Sequence, residues 1–261
     1  MVDIHHDNET LDEFHRGGFY LVQSRRQGHR SGMDAMILAG LVPTSFKGRV
    51  VDLGAGAGAA GFAVAARCIN TDVTLVERSP VMFALAKKSL SLSQNKILKT
   101  RISILQADVT LKGRYRVEAG LKNNMYDFAV MNPPFNFSSD RRTPDVLKAE
   151  AHVMEDTMFE DWLRCAAAIV KPGGFLGLIA RPQSLEHILL SMKGRFGDIK
   201  IIALHPRDGQ PAIRILVHAR RASKAPLQIL PSLIIHMKDE QCFTTKIDNV
   251  NNGLLSLWDL P

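Results

Sequence analysis

Residues 50–61 read "VVDLGAGAGAAG". An apolar run carries one acid and then breaks into Gly54, Gly56, Gly58 and Gly61. The stretch predicts a short buried strand over 48–54 that turns into an Ala-rich helix over 59–68. Glycines at such a turn let the backbone fold sharply and approach a ligand closely. Gly56-x-Gly58-x-x-Gly61 has the form of a dinucleotide-binding fingerprint. Glu77 follows Gly56 by 21 residues, at the end of the next strand, where a carboxylate would meet ribose hydroxyls. At this point a nicotinamide-type site and a purely structural glycine turn both remain open.

The chain on either side repeats the strand-then-helix pattern. Strands are expected over 72–77, 101–108, 126–132 and 174–180, with helices over 79–95, 158–170 and 184–196. Ser79 reads as an N-cap and Pro80 as the first helical residue. Alternation of this kind implies right-handed crossovers and a parallel sheet. Strands over 198–206 and 212–221 are separated only by "RDGQP", residues 207–211, too short for a parallel crossover, so they should pair antiparallel. The expected fold class is therefore α/β, Rossmann-like: a mostly parallel seven-stranded sheet with its last strand antiparallel. Residues 1–47 read as a short N-terminal cap, 48–222 as the core and 223–261 as a C-terminal β extension of the same domain. The least structured parts are expected at 1–18, 110–124 and 136–155.

Composition narrows the class. The 261 residues are 46% hydrophobic and 23% charged, an ordinary globular balance. The first residues have no basic and apolar pattern of a secretory signal, and no run approaches the length of a membrane span. Cys68, Cys165 and Cys242 are far apart and odd in number, which speaks against a disulfide framework or a zinc site and fits a reducing cytoplasm. The net charge of +7 favours polyanionic partners. Basic residues cluster at Arg25, Arg26, His29 and Arg30, at Lys112, Arg114 and Arg116, at Arg141 and Arg142, and at Arg220, Arg221 and Lys224. Each cluster alone could be a solvated face.

"D-L-G-x-G-x-G" after the first core strand, an acid after the second and "A-D" after the third resemble the class I S-adenosylmethionine-dependent methyltransferases. The resemblance implies S-adenosylmethionine as cofactor. It implies a cofactor set of Asp52, Gly54, Ala55, Gly56, Gly58, Glu77, Arg78, Asp108 and Val109. In that family the glycine loop passes beneath methionine and ribose, the second acid holds the ribose hydroxyls, and the third lies near adenine.

The fourth core strand ends in "NPPF", Asn132, Pro133, Pro134 and Phe135. Ligands of open α/β sheets bind at this carboxyl edge. An exocyclic amine on a nucleobase is a poor nucleophile, because its lone pair is conjugated into the ring. Acceptors that hold its protons favour an sp³-like nitrogen as the new bond forms. The Asn132 amide oxygen is one acceptor, and a backbone carbonyl held by the rigid Pro133–Pro134 turn is the other. Neither proline brings a competing N–H. Phe135 can stack on the base, worth roughly 1–3 kcal/mol in comparable sites, once the base is splayed from its neighbours. Asn-Pro-Pro-aromatic is similar to the motif of amino-methyltransferases acting on adenine N6, guanine N2 or glutamine amides. The catalytic set expected is Asn132, Pro133, Pro134 and Phe135.

The flanks, "GFYLVQSRRQGHRSGMDAMILAGLVP" (18–43) and "ALHPRDGQPAIRILVHARRASKAPLQILPSLIIH" (203–236), resemble the bacterial tRNA(Val) adenine-37 N6-methyltransferase family, also described as predicted O-methyltransferases. The resemblance implies methylation of adenine N6 in the anticodon loop of a tRNA. It also implies that the segment before the first core strand covers the cofactor, with Arg30 and Asp34 as polar candidates. Phe135 stands where many relatives have Tyr, which keeps stacking and removes a hydroxyl. Arg141, Arg142, Lys148, His152 and Arg207 are the expected RNA contacts, reached by charge. Competing substrates are ribosomal RNA, a protein glutamine and a small-molecule hydroxyl; a non-catalytic RNA-binding scaffold is the alternative of another class. No metal and no membrane are expected, and the oligomeric state is not legible.

Overall fold

The computed structural model describes residues 9–25, 32–134, 145–237 and 242–259, with the backbone alone for 145–156. The chain begins with a hairpin, β1 (Glu9–Phe14) and β2 (Phe19–Ser24), and a short helix, α1 (Met33–Ala39). The core then runs β3 (Gly48–Leu53), α2 (Ala59–Arg67), β4 (Thr71–Glu77), α3 (Pro80–Ser91), β5 (Ile102–Gln106) and α4 (Gly113–Glu118). It continues through β6 (Tyr126–Met131), α5 (Asp145–Ile169), β7 (Val170–Ala180), α6 (Leu185–Met192), β8 (Phe196–His205) and β9 (Arg214–Arg221). Two short strands, β10 (Gln228–Ile229) and β11 (Leu233–Ile234), and a helix, α7 (Thr245–Asn251), follow.

The strands lie side by side in the order β10-β8-β9-β7-β6-β3-β4-β5. β9 is antiparallel to both β7 and β8; the other core pairings are parallel. The seven expected strands are thus present, and β10 and β11 widen the sheet to nine by pairing in parallel with β8. From β3 the chain steps one way to β4 and β5, then returns to add β6 and β7 on the other side. The crevice where the direction reverses lies between β3 and β6, at their carboxyl ends.

Two apolar clusters cover the two faces, as a parallel sheet requires. One joins β2, α1, α2 and α7 to the sheet, and the other joins α5 and α6. The small residues of α2 let it lie close against β4: a Cβ on Gly61 would overlap Leu75. Ser79 caps α3 by accepting from the Met82 N–H at 3.4 Å, and Pro80 opens the helix.

Several expectations change. Glu9–Phe14, within a stretch read as unstructured, is a strand. β2, its partner, is fixed from the other side by side chains of the α3 end. Asn95 accepts from the Tyr20 N–H at 2.9 Å and donates to the Tyr20 carbonyl at 2.6 Å, and Ser89 Oγ accepts from the Val22 N–H at 2.9 Å. These bonds replace those of a neighbouring strand. α4 forms inside 110–124, and α5 begins at Asp145, well before the helix expected from residue 158. The tail is strand-like as expected as far as the His236–Phe243 bridge, but then forms α7. α7 packs on α1, and the chain beyond it is tied back: Leu257 N–H donates to the Gly40 carbonyl at 2.8 Å and Trp258 Nε1 to the Leu41 carbonyl at 2.6 Å.

Candidate active site

Register alone brings the sequence motifs together. Leu53 on β3 pairs with Met131 on β6 and with Val76 on β4, and Glu77 pairs with Gln106 on β5. The residues next in line are Gly54 and Asn132, at the crevice, with Glu77 and Gln106 beside them. Asp108 follows one turn past β5.

The loop 54–58 turns because its glycines adopt left-handed backbone, with φ of +69° at Gly54 and +58° at Gly56. A Cβ on Gly54 would fall inside the Trp162 ring of α5, so no other residue fits there. Ala55 N–H donates to the Val76 carbonyl at 2.9 Å, and Gly58 N–H to the Ala55 carbonyl at 2.8 Å. Glu77 locks the loop to α3: Oε2 accepts from the Gly56 N–H at 2.9 Å and Oε1 from the Ser79 N–H at 2.7 Å. Each carboxylate oxygen has a further lone pair to offer.

Asp52 lies beneath, buried, and its Oδ2 accepts from the Gly61 N–H at 2.8 Å. Burial raises its carboxyl to about 7, against the lowering effect of the Gly61 bond and with a further push from the Glu77 charge. It anchors α2 to β3. Val109 buries its side chain in the core, so a ligand could meet it only through the backbone.

Between β4 and β5 a cavity of about 580 Å³ opens, walled by Arg78, Ser79, Gln106, Ala107, Asp108 and Leu111. Asp108 Oδ1 accepts from both the N–H and the hydroxyl of Thr110, each at 2.8 Å, and Arg78 stands 3.6 Å from Oδ2. Burial alone would raise the Asp108 carboxyl; the Thr110 bonds and Arg78 outweigh it and hold it below its usual value.

Asn132 is half-buried at the end of β6, and Pro133 is buried behind it while Pro134 is exposed. The Asn132 Oδ1 atom is itself buried and has no hydrogen-bond partner among the described residues. An acceptor left so costs about 1–3 kcal/mol, and a native protein keeps one for a reason.

Other expected site residues fall elsewhere. Asp34, in the first turn of α1, accepts from Arg214 Nε at 2.8 Å, which ties the cap to the start of β9 at the same sheet edge. Arg207 is half-buried in the β8–β9 turn, where His205 Nδ1 lies 2.6 Å from the Gln210 carbonyl. Arg30, Phe135, Arg141 and Arg142 lie outside the described residues, as do the side chains of Lys148 and His152. Trp162, Ser79 and Arg214 were not expected at the site. Only the cap reading of Ser79 hinted at one of them; the other two carry no local spacing signal. Among the described residues no three His, Cys, Asp or Glu side chains group as metal ligands, and no helix is long and apolar enough to cross a membrane.

A family model described as Methyltransferase small domain matches residues 30–207. A solved structure of a predicted O-methyltransferase from Agrobacterium tumefaciens is 43% identical, covers 85% of this chain and 97% of that one, and superposes with a TM-score of 0.75. A protein of Dyadobacter fermentans named tRNA1(Val) (adenine(37)-N6)-methyltransferase is 26% identical over 210 residues, 79% of this chain and 82% of that protein. The fold is shared with M. jannaschii TYW2, solved in complex with AdoMet, at 12% identity and a TM-score of 0.52, over 82% of this chain and 86% of that one.

Proposed function

Because the chain belongs to the methyltransferase small domain family and is a class I S-adenosylmethionine-dependent methyltransferase, we propose that it methylates an exocyclic amine of an RNA base, adenine N6 in a tRNA anticodon loop. The observation that carries this reading is the buried Asn132 Oδ1 at the β3–β6 crevice, which has no hydrogen-bond partner among the described residues. It is an acceptor awaiting a donor, and an amine N–H is such a donor.

The residues present fit the cofactor. Glu77 keeps lone pairs for ribose hydroxyls while its N–H bonds hold it in place. The cavity beside Asp108 is of a size to take adenine, and the 54–58 loop offers bare backbone toward methionine and ribose. S-adenosylmethionine supplies a methyl group activated on sulfonium.

Asn132 Oδ1 accepts one amine proton, and a carbonyl of the Asn132–Pro134 turn accepts the other. The nitrogen lone pair is then drawn out of the ring and directed at the methyl carbon. Pro133 and Pro134 hold this turn without an N–H of their own. Phe135 follows as the stacking ring. An amide oxygen is too weak a base to deprotonate a hydroxyl; it suffices for an amine, whose proton leaves to water after transfer. That favours N- over O-methylation. The tRNA assignment is supported by the names of the curated relatives and by the charge of +7.

The test uses labelled S-adenosylmethionine and bulk tRNA from cells lacking the protein, followed by nucleoside mass spectrometry. N6-methyladenosine is the expected product, and its absence from tRNA overturns the substrate. Asn132→Ala should lower turnover by on the order of 10²–10³ while cofactor affinity changes little. Undiminished turnover would remove Asn132 from the mechanism.

A further inference from the structure

The cation cluster at Lys112, Arg114 and Arg116 divides in the structure. Arg116 is buried; its guanidinium donates to the Leu121 carbonyl and to Asn123 Oδ1, and so pins α4 from within. Lys112 is largely exposed but braced, 3.3 Å from Asp161 on α5. Arg114 and Tyr115 face outward. The Arg114 guanidinium lies 5.0 Å from the Tyr115 ring centroid and donates to the Tyr115 hydroxyl at 3.2 Å. Tyr115 is 58% exposed, on a helix braced by Arg116 from within and by the Lys112–Asp161 pair before its first turn.

Leu111 and Ala119, which flank α4 in sequence, both line the cavity beside Asp108. The segments on both sides of the helix therefore reach the cavity. Arg78, another lining residue, has a side chain that is 71% exposed. Beside the cavity the surface thus carries an exposed aromatic ring, a guanidinium 5.0 Å from its centroid, and two further cations, Arg78 and Lys112, each next to a carboxylate. A ring this exposed contributes little to the core, and its open face can take a planar partner. Unpaired RNA bases are read by stacking on aromatic rings and guanidinium planes, with their phosphates on cations.

We propose that Arg114 and Tyr115 form a platform on which an unpaired RNA nucleotide near the target base stacks, its phosphate lying toward Arg78 and Lys112. The proposal rests on the RNA reading given above and adds a place for the strand beyond the flipped base. β5 and β6 are separated by two intervening strands, β4 and β3. At about 4.8 Å per strand, the end of β5, from which the chain leads into α4, stands roughly 15 Å from the end of β6 along the sheet edge. That span is a few nucleotides, so the platform would meet a neighbour of the target and not the target itself.

Tyr115→Ala, Tyr115→Phe and Arg114→Ala test it in the full chain. Steady-state methylation of tRNA, anisotropy of a labelled anticodon stem-loop RNA, and calorimetric titration with S-adenosylmethionine are measured for each. Tyr115→Ala should raise KM and Kd for RNA by about 5- to 100-fold and leave the cofactor Kd within twofold. Tyr115→Phe should retain RNA affinity, and Arg114→Ala, which removes one plane of the platform, should weaken RNA binding while the phosphate contacts of Arg78 and Lys112 remain. Unchanged RNA affinity in Tyr115→Ala overturns the platform, and so does a loss of cofactor affinity, which would make Tyr115 a wall of the cofactor site. Wild-type protein that methylates no RNA overturns the substrate reading, and the platform with it. RNA methylation that survives Tyr115→Ala at unchanged KM removes the platform alone.

Discussion

Two polar side chains of the candidate site differ in their pairing: Asn132 Oδ1 has no hydrogen-bond partner among the described residues, whereas Asp52 Oδ2 accepts from Gly61. Asp52 stays folded against Gly61 with a carboxyl raised from 3.8 to about 7. The folded state therefore holds a proton that the unfolded chain has lost between about pH 4 and pH 7. Stability contributed by this group is present below pH 4, falls as pH rises across that window and is flat above it, by about 1.4 kcal/mol per pH unit at most. Asp52→Asn keeps the acceptor for Gly61 and carries no titrating proton. Relative to wild type it should gain stability from pH 4 to 7, as read from urea unfolding at several pH values; a constant difference would refute the raised carboxyl. The glycine loop, Glu77, Asp108 and Asn132 were legible because each sits at the last residue of a strand or just past it, where local pattern marks the sheet edge. Trp162 and Arg214 were not, because they arrive from helices and strands over 100 residues away with no spacing that links them to the loop.

At the scale of elements, the glycine loop and α5 depend on each other through Gly54 and Trp162. Gly54→Ala meets both a left-handed backbone and the indole ring. It should cost about 2–5 kcal/mol, part of it backbone strain and part overpacking. Trp162→Leu in the same chain should return the overpacking part. A double-mutant cycle in urea should then give a coupling of about 1–3 kcal/mol, whereas additive losses would deny the contact. Legibility differed among the elements for a similar reason. The core strands and helices announce themselves by apolar runs, caps and glycines. β1, with the sequence "ETLDEF", is polar and mostly half-exposed, and its hairpin is held by Asn95 and Ser89 from a helix far along the chain. α7 follows a stretch of β-rich pattern and is short and polar; what fixes it is its seat on α1, which no local reading could reveal.

For the molecule as a whole, the two ends of the described chain close on the same helix layer. The hairpin tip meets the last helix where Arg16 pairs with Asp248 at 2.9 Å and His15 packs on Gly253. Trp258 donates to the Leu41 carbonyl and stands edge-on to His218, 4.9 Å away. Trp258→Ala removes that bond and the ring contact together. It should cost about 2–4 kcal/mol, seen as a lower urea midpoint, and a loss under about 0.5 kcal/mol would show the tail to be a passive cover. The same closure sets a delay during synthesis. Leu41 and Trp258 are 217 residues apart, which at cellular elongation rates of about 5–20 residues per second is roughly 10 to 45 s. Through that interval α1 has left the ribosome but its covering helix has not been made. The face of α1 that α7 covers therefore stays open, in water or in the grip of a chaperone, until residues 245–258 emerge, while its packing on α2 can already form.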